Sequence, residues 1–236
     1  MAHALRYLVA CLVSWACLRA QTPPASAVRF SVFAAKPIEA LAFAPKPGAP
    51  PQVIEFSPTA RSARLEYRGA MPLRFVDAAS GVVLAEAVLP PEIREALLLF
   101  SPMEAEASKG GLRYRVAVID DSAVRHGPGG LVVLNLSGLS LAGTINEKPI
   151  TLAAGLNPAV PIGRTAKVVL RATAKGRTFQ SYAGTVQLGA RERALLILFP
   201  PFYRTSLEVQ SRLLLDQPPG ADAPKKSGAV APTKQK

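Results

Sequence analysis

Past residue 20 the apolar residues of this chain arrive in short runs, each cut off by proline, glycine, serine or an alanine-rich turn. This punctuation limits the fold more than any other feature. An amphipathic helix needs ten or more unbroken residues with a 3.6-residue apolar period, whereas a strand needs four to eight. With 22 prolines and 17 glycines among 236 residues, the chain is predicted to be all-β. Expected strands in the first half cover 29–33, 53–56, 64–67, 73–76, 82–88 and 96–100. Next comes 112–118, where Leu112, Tyr114, Val116 and Val118 share one face at period two. The second half offers 131–134, 139–145, 150–152, 167–172, 179–188 and 194–199. A last alternating strand over 207–215 places Leu207, Val209, Leu213 and Leu215 in step.

Two of these runs match each other. Glu95-Ala96-Leu97-Leu98-Leu99-Phe100-Ser101-Pro102 aligns without gaps on Arg193-Ala194-Leu195-Leu196-Ile197-Leu198-Phe199-Pro200. Each run is followed by one more strand ending in aspartate, at Asp120 and Asp216. That order suggests an internal duplication. Its spacing fits two tandem Ig-like β-sandwich domains, over 28–120 and 131–216, joined by a polar, glycine-rich linker over 121–130. Runs as continuously apolar as 97–100 and 195–199 are expected to be central strands covered on both faces.

Residues 1–20 read as a cleaved signal peptide: a short positive start with Arg6, an apolar run from Tyr7 to Leu18, and Ala20 before Gln21. Both cysteines, Cys11 and Cys17, and the single tryptophan, Trp15, fall inside it. The mature chain so defined has no disulfide, no thiolate nucleophile and no cysteine metal site, and it keeps one histidine, His126. No other apolar stretch approaches the roughly 20 residues of a spanning helix, so no transmembrane span is expected in the mature protein. The chain is expected to be exported, to the periplasm or the extracellular space, in a bacterial context suggested by its Ala, Arg and Pro bias.

Motifs for chemistry fall short of their requirements. Gly138-Leu139-Ser140-Leu141-Ala142-Gly143 misses G-x-S-x-G by Ala142 and precedes no helix. Asp120, Asp121 and His126 offer oxygen and imidazole ligands, but a tight metal site needs three or four converging groups, and these read as ordinary linker residues. Glu39, Glu55, Glu66 and Glu86 show no spacing that singles out a catalytic pair. The Gly127–Gly130 run lacks a Gly-Lys-Ser/Thr and a helix after it, so it reads as a turn. Arg113-Tyr114-Arg115 and Phe202-Tyr203-Arg204 interleave basic and aromatic residues, which in a strand is a polar and an apolar face, so no nucleic-acid partner is expected. Asn135-Leu136-Ser137 spells a glycosylation sequon but lies in or beside a strand. The expectation is no catalytic residue, no cofactor and no metal.

Charge points to surfaces. Between Gln21 and Asp216 there are 22 basic and 15 acidic residues, an excess spread along the body. Residues 217–236 are rich in Lys, Pro and Ala and are expected to be disordered. Their lysines, Lys225, Lys226, Lys234 and Lys236, are the candidates for contact with an anionic surface. The layout, exported and basic with two Ig-like domains, resembles that of periplasmic pilus chaperones, and the resemblance covers architecture alone. The functional expectation is a non-enzymatic envelope or extracellular interaction or structural protein whose partner is an unknown envelope protein or an anionic polymer. An assembly chaperone acting by β-strand addition and a carbohydrate-binding module are the alternatives. A strand-adding chaperone requires a long unpaired apolar edge at an interdomain cleft, and a sugar binder a coplanar set of aromatic rings.

Overall fold

The computed structural model describes residues 26–57, 59–104, 111–174, 176–203 and 205–218. The leader over 1–20 and the tail lysines Lys225, Lys226, Lys234 and Lys236 lie outside the described residues. Within them the chain is all-β, and no helix is long and apolar enough to cross a membrane.

The first half supplies β1 (Ser26–Ala34), β2 (Leu41–Phe43), β3 (Gln52–Val53), β4 (Leu65–Gly69), β5 (Leu73–Asp77), β6 (Val83–Ala87), β7 (Glu95–Pro102) and β8 (Tyr114–Asp120). The second supplies β9 (Gly130–Asn135), β10 (Leu141–Ile145), β11 (Lys148–Leu152), β12 (Gly155–Leu156), β13 (Val160–Pro161), β14 (Thr165–Ala174), β15 (Arg177–Gln187), β16 (Arg193–Phe199) and β17 (Gln210–Asp216). Strands β1–β8 form two sheets, ordered β4-β1-β7-β8 and β3-β2-β5-β6. Strands β9–β17 repeat that plan as β12-β9-β16-β17, with β13 also on β9, and β11-β10-β14-β15. The repeat includes its least common feature, a parallel pair at the centre: β1 runs parallel to β7, and β9 parallel to β16. Strands β8 and β9, consecutive in sequence, pair with β7 and β16 respectively, so no sheet runs through both halves.

Period-two alternation divides each central strand between two cores. In β7, Ala96, Leu98 and Phe100 face a cluster built with Phe30, Phe43 and Phe75, in which Phe30 meets Phe43 and Phe75 edge to face and Phe75 meets Phe100 likewise. In β16, Ala194, Leu196 and Leu198 face the second half's own cluster with Leu131, Val168, Leu170 and Val186. The intervening residues do not face water. Phe33, Leu97, Leu99 and Ile119 of the first half pack against Val132, Leu134, Leu195, Ile197 and Leu214 of the second. The molecule is therefore four sheets deep with three apolar cores, and the runs expected to be covered on both faces cover one another.

Three readings change. The strand expected at 53–56 is confined to Gln52–Val53, and β2, β12 and β13 were too short to leave a period. Residues 121–130 are not an exposed tether: Asp121 and His126 are each 4% exposed, Gly129 donates to the Glu192 carbonyl and Ile162 donates to that of Gly129. Their glycines serve a tight turn, Gly129 with φ 71°. Finally, the aspartate matching Asp216 is Asp121, not Asp120. Asp216 lies opposite Arg193, and the Asp121 amide donates to Glu95, the residue aligned with Arg193.

Candidate functional site

The repeat places the starts of β7 and β16, and the ends of β8 and β17, at one end of the two inner sheets. Charged side chains converge there. Arg193, fully buried, donates through Nη2 to Asp121 Oδ2 and to Asp216 Oδ2, both at 2.7 Å, and through Nε to Asp216 Oδ2 at 3.1 Å. Its Nη1 donates to the carbonyls of Asp121 (2.8 Å) and His126 (2.7 Å), which pins the connecting segment. Arg61, whose side chain is 5% exposed, donates to Asp121 Oδ2 at 2.7 Å. Arg64 grips Asp216 with both terminal nitrogens, at 3.2 and 2.7 Å. Arg61 and Arg64 belong to the first half and Arg193 and Asp216 to the second, so this network is a clamp across the seam. Charge-assisted bonds of this kind hold geometry firmly because each partner would be costly to bury alone. Three guanidiniums share two carboxylates, and Arg61 Nε and Nη2 are left without a hydrogen-bond partner.

His126 lies against the clamp. Its Nε2 donates to the Gly130 carbonyl at 3.3 Å, since a carbonyl can only accept. Burial, reinforced by the positive charge of Arg193, pushes its pKa down to about 4, against the opposing pull of the Gly130 carbonyl. The imidazole is therefore neutral near pH 7. Beside it opens a groove of about 670 Å³. Ile119, Val132 and Leu195 of the seam core line it with Asp120, Arg125 and Asn157. Val124 and Leu156, 95% and 48% exposed, also line it. It lies beside β8 and β12, one edge strand of each inner sheet.

The other sequence candidates take structural places. Asp121 is committed to Arg61 and Arg193, and among the described residues no three His, Cys, Asp or Glu side chains converge. Ser140 is exposed in the turn before strand β10. Asn135 and Ser137 of the sequon are buried, Asn135 Oδ1 accepting from the Ser137 amide and hydroxyl. Glu66 pairs with Arg68 and Glu86 with Arg74 on exposed faces. Phe202 and Tyr203 are exposed, but their rings stand at 84° to each other and form no flat platform. The residues missed from sequence are Arg61, Arg64 and Arg193. One signal was present: within the aligned runs, Glu95 against Arg193 is the position where the charge inverts. No protein-family model and no curated protein matches the chain.

Proposed function

We propose that this is an exported, non-enzymatic interaction or structural protein of the bacterial envelope or extracellular space, made of two tandem Ig-like β-sandwiches. The observation that carries this reading is the clamp. Of the titratable groups that line the groove of about 670 Å³, Asp121 is held by Arg61 and Arg193 in joining the two halves, His126 is bonded to the Gly130 carbonyl and Asp120 is paired with Arg125. Ig-like here means two packed sheets per half; the central parallel pairs distinguish each half from a wholly antiparallel immunoglobulin domain. The tail lysines would add weak, salt-sensitive contact with anionic surfaces. The test is to fractionate expressing cells, sequence the N-terminus and cross-link the mature form in envelope extract. Recovery outside the cytoplasm beginning at Gln21, with a reproducible cross-linked partner, is expected. Full-length protein confined to the cytoplasm would overturn the reading.

A strand-adding chaperone is the second reading, favoured by the groove beside two sheet edges. Its weakness is the length of those edges: β12 has two residues, and the start of β8 is approached by the first half's other sheet, with Arg113 donating to the Leu84 carbonyl. Mature protein that slows aggregation of unfolded clients at equimolar ratio would favour it.

A further inference from the structure

The outermost sheet of the second half, β11-β10-β14-β15, presents a face unlike its counterpart in the first half. Along β14, Ala166, Val168, Leu170 and Ala172 enter the core, which turns Thr165, Lys167, Arg171 and Thr173 outward, with Val169 half-buried among them. Across the sheet Lys167 lies opposite Thr185, Arg171 opposite Gln180 and Ala142, Val169 opposite Ala183 and Thr144, and Thr173 opposite Thr178. Every one of these neighbours is uncharged, and among the described residues neither Lys167 nor Arg171 makes an ion pair. The first half supplies an internal control. On the sheet that corresponds by strand order, Arg74 of β5 lies opposite Glu86 of β6 and is paired with it at 3.0 Å. In the second half the outward arginine, Arg171, lies opposite the amide of Gln180 instead of an acid.

A shallow groove of about 380 Å³ runs along this face, lined by Thr144, Asn146, Glu147, Lys167, Val169 and Arg171. Its rim is fixed. Asn146, at φ 47°, accepts from the Lys167 amide at 2.9 Å and donates to the Thr165 carbonyl at 3.0 Å, which ties the β10–β11 turn to β14. Glu147 is the acid at that rim. Lys167 and Arg171 are four residues apart on one strand, about 13 Å at the usual rise. That separation is too long for both to hold one small anion and suits successive charges of a polymer. The hydroxyl and amide groups between and beside them match the hydrogen-bonding groups of sugars.

We propose that this face binds an extended acidic polysaccharide, its carboxylates at Lys167 and Arg171 and its hydroxyls along Thr144, Asn146 and Gln180. The proposal rests on the reading of an interaction protein and moves its anionic-polymer contact from the tail to the second sandwich. The experiment compares the mature chain, the Lys167→Gln/Arg171→Gln variant and a chain ending at Pro218, on polygalacturonate, uncharged dextran, duplex DNA and anionic vesicles. The expected result is binding to polygalacturonate and not to dextran, weakened about tenfold at low salt in the double variant, since exposed charge contacts are each modest. The weakening should narrow at high salt, and the truncated chain should still bind. Unchanged binding by the double variant with loss on truncation would return the contact to the tail and overturn the proposal while leaving the interaction reading intact. Equal affinity for DNA or vesicles would reduce it to general polyanion attraction, and no binding by any form would overturn both the site and the anionic-polymer partner.

Discussion

Replacing Arg193 with methionine would remove the fully buried one of the three cations that Asp121 and Asp216 share, and would free the carbonyls of Asp121 and His126. Breaking one partner out of a buried ion network costs about 3–5 kcal/mol, and a urea titration of Arg193→Met should show a loss of that order. Arg61→Met should cost less, below about 2 kcal/mol, because it removes one hydrogen bond to Asp121 and a longer ion contact to Asp216 together with two unpaired buried donors. His126 supplies a pH dependence of known sign. Its folded pKa of about 4 lies below the ordinary 6.5, so the unfolded chain takes the proton first. The stability due to neutral His126 is full above about pH 6.5 and is lost progressively as pH falls toward 4, by about 3 kcal/mol at the low end. Wild type minus His126→Gln, followed by denaturant midpoint across that range, should show this slope and a plateau below it. Residues of this network were hard to read in sequence because a buried arginine has the same letter as a surface one. Arg61, Arg64 and Arg193 join only once strands distant in sequence bring their ends together.

Strands β7 and β16 show what a continuous apolar run does determine. Five apolar residues in a row, as in Ala96–Phe100, cannot all face one core at period two, so burial on both sides was legible. The identity of the second cover was not, because nothing in one run names its partner across a sheet-to-sheet contact. The amphipathic strands were readable for the opposite reason: in β8, Tyr114, Val116 and Val118 pack on the first core, as alternation implies. Its Ile119 turns the other way into the seam. Leu97→Ala and Ile197→Ala should each cost about 2–5 kcal/mol through the cavity left at a buried position. Changes of the same size at exposed Val53 should cost under about 1 kcal/mol, measured by the same titration. Gly143 of β10 is a further sensitive position, because a Cβ there would run into the Val169 carbonyl of β14.

Taken whole, the molecule is expected to melt as one unit. The seam core and the clamp connect the halves, and the polar, glycine-rich segment between them is hydrogen-bonded to both. Calorimetry of the chain beginning at Gln21 should give one transition, and Leu97→Asp should split it or lower both halves together. Two transitions already present in the wild type, with Leu97→Asp affecting the first half alone, would show that the seam couples little. The same layout sets the order in which the chain can become structured. Phe30 has no parallel partner until Ala96 exists, and Leu131 none until Ala194. Contacts so distant in sequence close slowly. A nascent chain that emerges amino-end first thus lacks the central pair of the first half until Phe100 exists and that of the second until Leu198 exists, and remains a thread for longer than a protein of consecutive hairpins would. For a polypeptide read as crossing a membrane before it folds, late closure is time in which to be threaded. A variant whose strands paired earlier would be the one to stall in passage.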